Sequence, residues 1–168
     1  MNDGVGYNDM RITTRLQDWL RIQEWEDEIE VDEERKNSIV STNMVVDGQT
    51  HRLYLEVDEE LDMFELYMYG IASVPISRTS EAAIILNRIN SRLALGRLTC
   101  TGDDETNPIQ YKSAIDVEES DLSPKQITNM LDIATHAFIN YGFILSQVAL
   151  TKQSGDEIWS AFLAEEDQ

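Results

Sequence analysis

The sequence predicts an α+β fold: one antiparallel sheet of about five strands covered by helices, in the order α-β-β-β-α-β-β-α. Two observations carry the sheet. Three β-prone stretches follow one another between positions 39 and 71, and Asp47-Gly48 between the first two marks a tight hairpin. A third carries the helices, because three other segments repeat their apolar residues at three- and four-residue steps.

Taken in order, residues 1–8 mix Gly, Asn and Asp without periodicity and read as a disordered start. From Asp9, a candidate N-cap, Ile12, Leu16, Trp19 and Leu20 form one apolar stripe on a short helix. The segment 24–36 holds eight carboxylates and reads as a solvated connection with room for one short edge strand, or as an acidic docking strip. Ile39 to Val46 is β-branched and apolar. After Asp47-Gly48, whose type I′ turn needs positive φ at both central positions, His51 to Val57 alternates Leu53, Leu55 and Val57 with polar neighbours. Met63 to Ile71 completes an antiparallel meander, stopped by Pro75.

Ser80 is the expected N-cap of a second helix, whose buried face is Ala82, Leu86, Ile89 and Leu93 and whose C′ glycine is Gly96. Arg97 to Thr101 and Ile109 to Val117 read as two more strands joined by the turn Gly102 to Pro108. Ser123-Pro124 then opens the clearest element, serine as N-cap and proline at the first helical position. Its seam runs Ile127, Leu131, Ala134, Phe138, Tyr141, Leu145 and Val148, and Gly142 inside it suggests a close packing contact. The predicted domain is therefore 9–150, with 151–168 an acidic tail that can form a short helix.

At 168 residues the chain has the size of one domain, able to bury roughly 68–70% of its unfolded surface. Thirteen Lys and Arg face 32 Asp and Glu, a net charge of −19. That field repels phosphate backbones and anionic lipid, so neither nucleic acid nor membrane is an expected partner. It serves solubility, and it attracts basic segments or divalent cations. A single cysteine, Cys100, allows no internal disulfide, MNDGVGYNDM has no secretory pattern, and no apolar run reads as a bilayer span, so the expected compartment is the cytoplasm.

Catalytic signatures are missing from the pattern. Neither GxGxxG nor GxxxxGK[ST] occurs, and the two histidines, His51 and His136, lie in no nucleophile context. Asp103, Glu105 and Asn107 open like a calcium loop, but Pro108 replaces the sixth-position Gly and Ala114 the twelfth-position Glu. Cys100 sits in an apolar strand pattern, as a small core residue does. No catalytic, metal or cofactor-binding residue is assigned, and no cofactor is expected. Trp159, Phe162 and Leu163 share one side of the terminal segment; they are candidate partner-binding residues if exposed, or dock within the chain.

One stretch carries a family resemblance. Asn87-Arg88-Ile89-Asn90-Ser91-Arg92-Leu93, then Leu95-Gly96-Arg97-Leu98, the strand Tyr111 to Val117 and Leu122-Ser123-Pro124-Lys125-Gln126-Ile127 resemble the YbjN-like bacterial proteins, labelled sensory transduction regulators. The resemblance covers most of 9–150 and is weakest in the first 35 residues and after Leu150. It implies a fold akin to type III secretion chaperones, which are small acidic α+β dimers that hold extended partner segments, and it supplies no active-site residues. The expected function is thus a chaperone-like or regulatory protein-binding module, homodimeric, whose partner is another protein with a basic segment. The alternative is an enzyme with a carboxylate or divalent-metal site assembled only in the fold.

Overall fold

A computed structural model describes residues 10–100 and 106–166. Ten elements follow in order: α1 (Arg11–Ile22), β1 (Glu30–Asp32), β2 (Asn37–Val46), β3 (Gln49–Asp58), β4 (Met63–Pro75), α2 (Thr79–Asn90), β5 (Arg97–Cys100), β6 (Thr106–Asp116), α3 (Pro124–Leu150) and α4 (Gly155–Glu166). The strands form one antiparallel sheet in the order β1-β2-β3-β4-β6-β5. The α+β class is as predicted, with six strands rather than five, because the acidic segment contributes β1 against β2.

Strand alternation decides what is covered. Val40, Leu53, Leu55, Val57, Phe64, Leu66, Met68, Ile109 and Tyr111 point to one face and are buried there beneath the helices. Each fully buried aliphatic side chain contributes about 1.5–3 kcal/mol by leaving water. α3 supplies the opposing surface, burying the whole predicted seam together with Met130, Ala137 and Ile144. Its start is a capping box: Gln126 N donates to Ser123 Oγ at 3.2 Å, and Ser123 N donates to Gln126 Oε1 at 2.7 Å. The stripe Ile12, Leu16, Trp19 and Leu20 of α1 is buried, with Trp19 Nε1 donating to Thr128 Oγ1 of α3 at 3.0 Å. At the hairpin, Asp47 (φ 48°) and Gly48 (φ 74°) both adopt positive φ.

Five local expectations are corrected. α2 begins at Thr79, after a 3-10 turn over Ile76–Arg78, so Ser80 lies inside the helix and caps nothing. Thr79 Oγ1 donates instead to Ile76 O at 2.9 Å. Gly96 does not end α2, which stops at Asn90 because that side chain is recruited by β5: Leu98 N donates to Asn90 Oδ1 at 2.8 Å and Asn90 Nδ2 to Leu98 O at 2.9 Å. Leu93, beyond the helix, is only partly buried, and Ile85 takes its place on the buried face. Pro108 lies within β6 rather than ending a turn. It pairs with Ser73 beside a bulge in β4, where a missing N–H is tolerated.

Gly142 marks no close contact, since a Cβ there would meet nothing within 4 Å. Residues 1–8 and Asp9, the expected start and cap, lie outside the described residues, as does the Thr101 end of the fourth expected strand.

Candidate protein-binding surface

All described helices lie on one side of the sheet, so its other face is bare among the described residues. That face presents Glu30 and Asp32 from β1, Asn37 and Ile39 from β2, Glu56 and Asp58 from β3, Glu65, Tyr67 and Tyr69 from β4, and Lys112 from β6. Near the β1 edge it hollows into a groove of about 450 Å³, lined by Glu30, Asp32, Glu56, Asp58 and Glu65 around Ile39. The strand register builds this. Glu30 lies opposite Ile39, Ile39 opposite Glu56, and Glu56 opposite Glu65, which draws carboxylates distant in sequence onto one transverse row.

Two of these carboxylates have opposite fates. Burial works to raise Glu65, but hydrogen bonds from Lys112 and Tyr67 outweigh it and hold the carboxyl below its usual range. Lys112 Nζ is 2.6 Å from Glu65 Oε1, and Tyr67 OH donates to Glu65 Oε2 at 2.6 Å. Lys112 Nζ also donates to Tyr67 OH at 2.9 Å, and this shared bonding raises the lysine. Glu56 is raised, first by burial and then by the neighbouring charge of Glu65. Lys112, the cation that offsets it, is already committed to Glu65. A half-buried carboxylate left in this state favours an incoming positive group.

The predicted terminal cluster is brought together, on α4, and turned inward. Trp159 is buried, with Arg88 and Arg92 lying 5.8 and 4.8 Å from its ring centroid. Phe162 and Leu163 are partly buried against the core, and Phe162 packs on Trp159 and Tyr141 at centroid distances of 5.3 and 5.8 Å. Glu81 accepts from Gly155 N and clamps the start of this helix.

The chemistry-bearing residues stay apart. His51 is buried, its Nδ1–H donating to Tyr69 O at 3.0 Å, and burial pushes its pKa down. His136 is exposed on α3 and donates to Asp132 O at 2.7 Å. Cys100 is partly buried and its thiol is pushed up by burial, away from the reactive thiolate. Asn107 is buried and donates to Val74 O at 3.4 Å, while Asp103 and Glu105 lie outside the described residues. Among the described residues no three His, Cys, Asp or Glu side chains converge as metal ligands.

Sequence reading did not single out Glu56, Glu65 or Lys112. The available signal was the alternation of β3, which places Tyr54, Glu56 and Asp58 on the face opposite Leu53, Leu55 and Val57.

A single antiparallel sheet, covered by helices on one side and bare on the other among the described residues, defines a small α+β protein. Within that class the chain belongs to the YbjN family, described as "Putative bacterial sensory transduction regulator", whose model matches residues 13–142. Three solved structures share the fold. A chain of the HopA1–SchA chaperone–effector complex is 18% identical with a TM-score of 0.50, over 81% of this chain and 95% of that one. YbjN from E. coli, called a putative transcription regulator, is 12% identical with a TM-score of 0.50, over 77% and 90%. An uncharacterized protein from Methanothermobacter thermautotrophicus is 13% identical with a TM-score of 0.55, over 82% and 98%. No curated protein sequence matches the chain.

Proposed function

We propose that this protein is a non-enzymatic, chaperone-like or regulatory binding module of the cytoplasm, working as a homodimer, whose bare sheet face receives an extended, basic segment of another protein. The observation that carries the reading is the acidic groove at the β1 edge, where Glu56, raised by burial and by Glu65 and only partly offset by Lys112, lies beside Asp58, Glu30 and Asp32. A Lys or Arg entering it gains from all four, and the net charge of −19 steers such a segment in. Tyr54, Tyr67 and Tyr69 on the same face offer amphipathic shelves for the partner's apolar side chains. Phe162 and Leu163, partly exposed on α4 at the helix side of the sheet, are a second candidate contact, separate from the groove. The likeness to a chain of a chaperone–effector complex agrees with this reading.

One observation favours an enzyme instead: Glu56 and Glu65 are pushed in opposite directions, as acid and base partners are. Glu65 is however engaged by Lys112 and Tyr67, which leaves the pair no free base.

The test is a pull-down from native lysate at low and high salt, using the wild type and a variant combining Glu30→Gln, Glu56→Gln and Asp58→Asn. Partners held by the wild type at low salt, and lost both at high salt and in the variant, are the expected result. Identical catches by the two proteins would overturn the assignment to this face.

A further inference from the structure

From Ile133 to Thr151 the chain has no Asp, Glu, Lys or Arg, although 45 of its 168 residues are charged (13 basic plus 32 acidic). A stretch so free of charge is expected to be core on every side. α3 is not. It buries one seam against the sheet and the other helices, while Ile139 remains 48% exposed, Phe143 67% and Leu150 84%. Their spacing of four and seven residues sets them on one stripe.

Neighbouring elements extend that stripe. Ile71, 54% exposed at the β4 bulge, borders a small cleft with Gly142 and Ser146 of α3. Ile76, 59% exposed, sits on the 3-10 turn that Arg78 ties to the end of α3 by donating to Val148 O at 3.2 Å. By length and composition alone α3 could cross a membrane, which corrects the reading that no run in the sequence is apolar enough.

The charge of the chain selects the occupant. About a twofold axis a patch meets its own copy, so on a molecule of net charge −19 an acidic patch would meet the same sign. The α3 stripe is a face on which two identical chains can meet without that cost. A basic partner is drawn to the acidic sheet face instead, and an anionic lipid surface is repelled by the whole molecule. We propose that two copies of this chain pair through the exposed stripe Ile139, Phe143 and Leu150 of α3, flanked by Ile71 and Ile76. The stripe lies on the helix side of the sheet, away from the acidic groove, so pairing and partner capture can fail separately.

The experiment is sedimentation velocity on the full chain at about 100 µM, a concentration at which micromolar association is saturated, in low and high salt. The wild type is expected at twice the monomer mass, more completely in high salt as repulsion is screened. Phe143→Glu and Leu150→Lys, at exposed positions that keep good helix formers, are expected to halve the mass with an unchanged far-UV circular dichroism spectrum. Val45→Glu, equally exposed at 69% but on the sheet hairpin, is expected to leave the dimer intact. A monomeric wild type in high salt overturns the pairing, as does a dimer that survives both α3 substitutions. A monomer that instead floats with neutral phosphatidylcholine vesicles, and stops doing so in Phe143→Glu, overturns it in favour of a lipid surface.

Discussion

Glu59, in the turn between β3 and β4, caps a helix that begins 48 positions earlier: its carboxylate accepts from Ile12 N at 3.1 Å and Thr13 N at 2.7 Å, at the start of α1 (Glu59 minus Arg11). The local cap position is Met10, which offers no side-chain acceptor. The orphan N–H groups are thus satisfied from across the fold. Glu59→Ala is expected to cost about 1 kcal/mol, the usual worth of an N-cap, read as a lower urea midpoint with an unchanged slope.

Glu56 makes the opposite prediction. Burial and then Glu65 raise its carboxyl, so the folded state binds more protons than the unfolded one in the window above the ordinary carboxylate value of about 4. Stability falls as pH rises through that window. Glu56→Gln is therefore expected to melt higher than the wild type at pH 7, with the two melting curves converging as pH falls toward 4.

Lys112 carries the complementary sign. Glu65 is depressed by its hydrogen bonds from Lys112 and Tyr67, so its contribution is present above the unfolded value and is lost as pH falls through the lower, folded one. Lys112→Gln should destabilise by about 1 kcal/mol at pH 7, as for a partly buried pair. The deficit should shrink in acid, where a protonated Glu65 no longer needs a cation. Chemical denaturation of both proteins at several pH values checks the trend.

Two glycines should respond oppositely to alanine. Gly96 has φ 70°, and a Cβ there would crowd the Tyr111 hydroxyl and come within 2.8 Å of Lys112 O. Backbone strain alone makes Gly96→Ala costly, by about 1–2 kcal/mol, and displacing the Tyr111 hydroxyl from its 2.8 Å bond to Leu95 O adds to it. Gly142→Ala, in a helix interior with open space, is expected to stabilise by about 0.5–1 kcal/mol. Thermal melts of the two variants should fall on either side of the wild type.

The docking of α4 depends on Trp159 and on the absence of a side chain at Gly155, where a Cβ would lie 2.9 Å from Glu81 O and 3.1 Å from Ile84 Cβ. Trp159→Ala is expected to cost about 3 kcal/mol, as for a buried aromatic. Gly155→Val should loosen α4 selectively. Hydrogen exchange would then show residues 155–166 losing protection while α3 keeps its own.

Much of the fold was legible because its signals are local. Ser123, Pro124 and Gln126 form their capping box within one turn, and Asp47-Gly48 closes its hairpin within two residues. The seam of α3 reads directly because a 3.6-residue period needs only sequence spacing. Expectations failed where a neighbouring element, rather than the helix's own pattern, decided the outcome. Ser80 resembles a cap until the 3-10 turn over Ile76–Arg78 extends the helix past it, and Gly96 resembles a helix stop until β5 captures Asn90.

The candidate surface was less legible still. Acidity was visible throughout the composition, but nothing in the spacing of Glu30, Ile39, Glu56 and Glu65 announces that they share one row. The sequence alone determined the charge, the element order, and the apolar faces that helices and strands must bury, since these follow from residue type and backbone period. Strand register brought Glu56 to Glu65 and Lys112, the three-dimensional path brought Glu59 to α1, and packing left Phe143 in solvent while it covered Trp159. Those outcomes belong to tertiary structure because each depends on pairing or packing between different elements, whose free energy no single element's pattern contains.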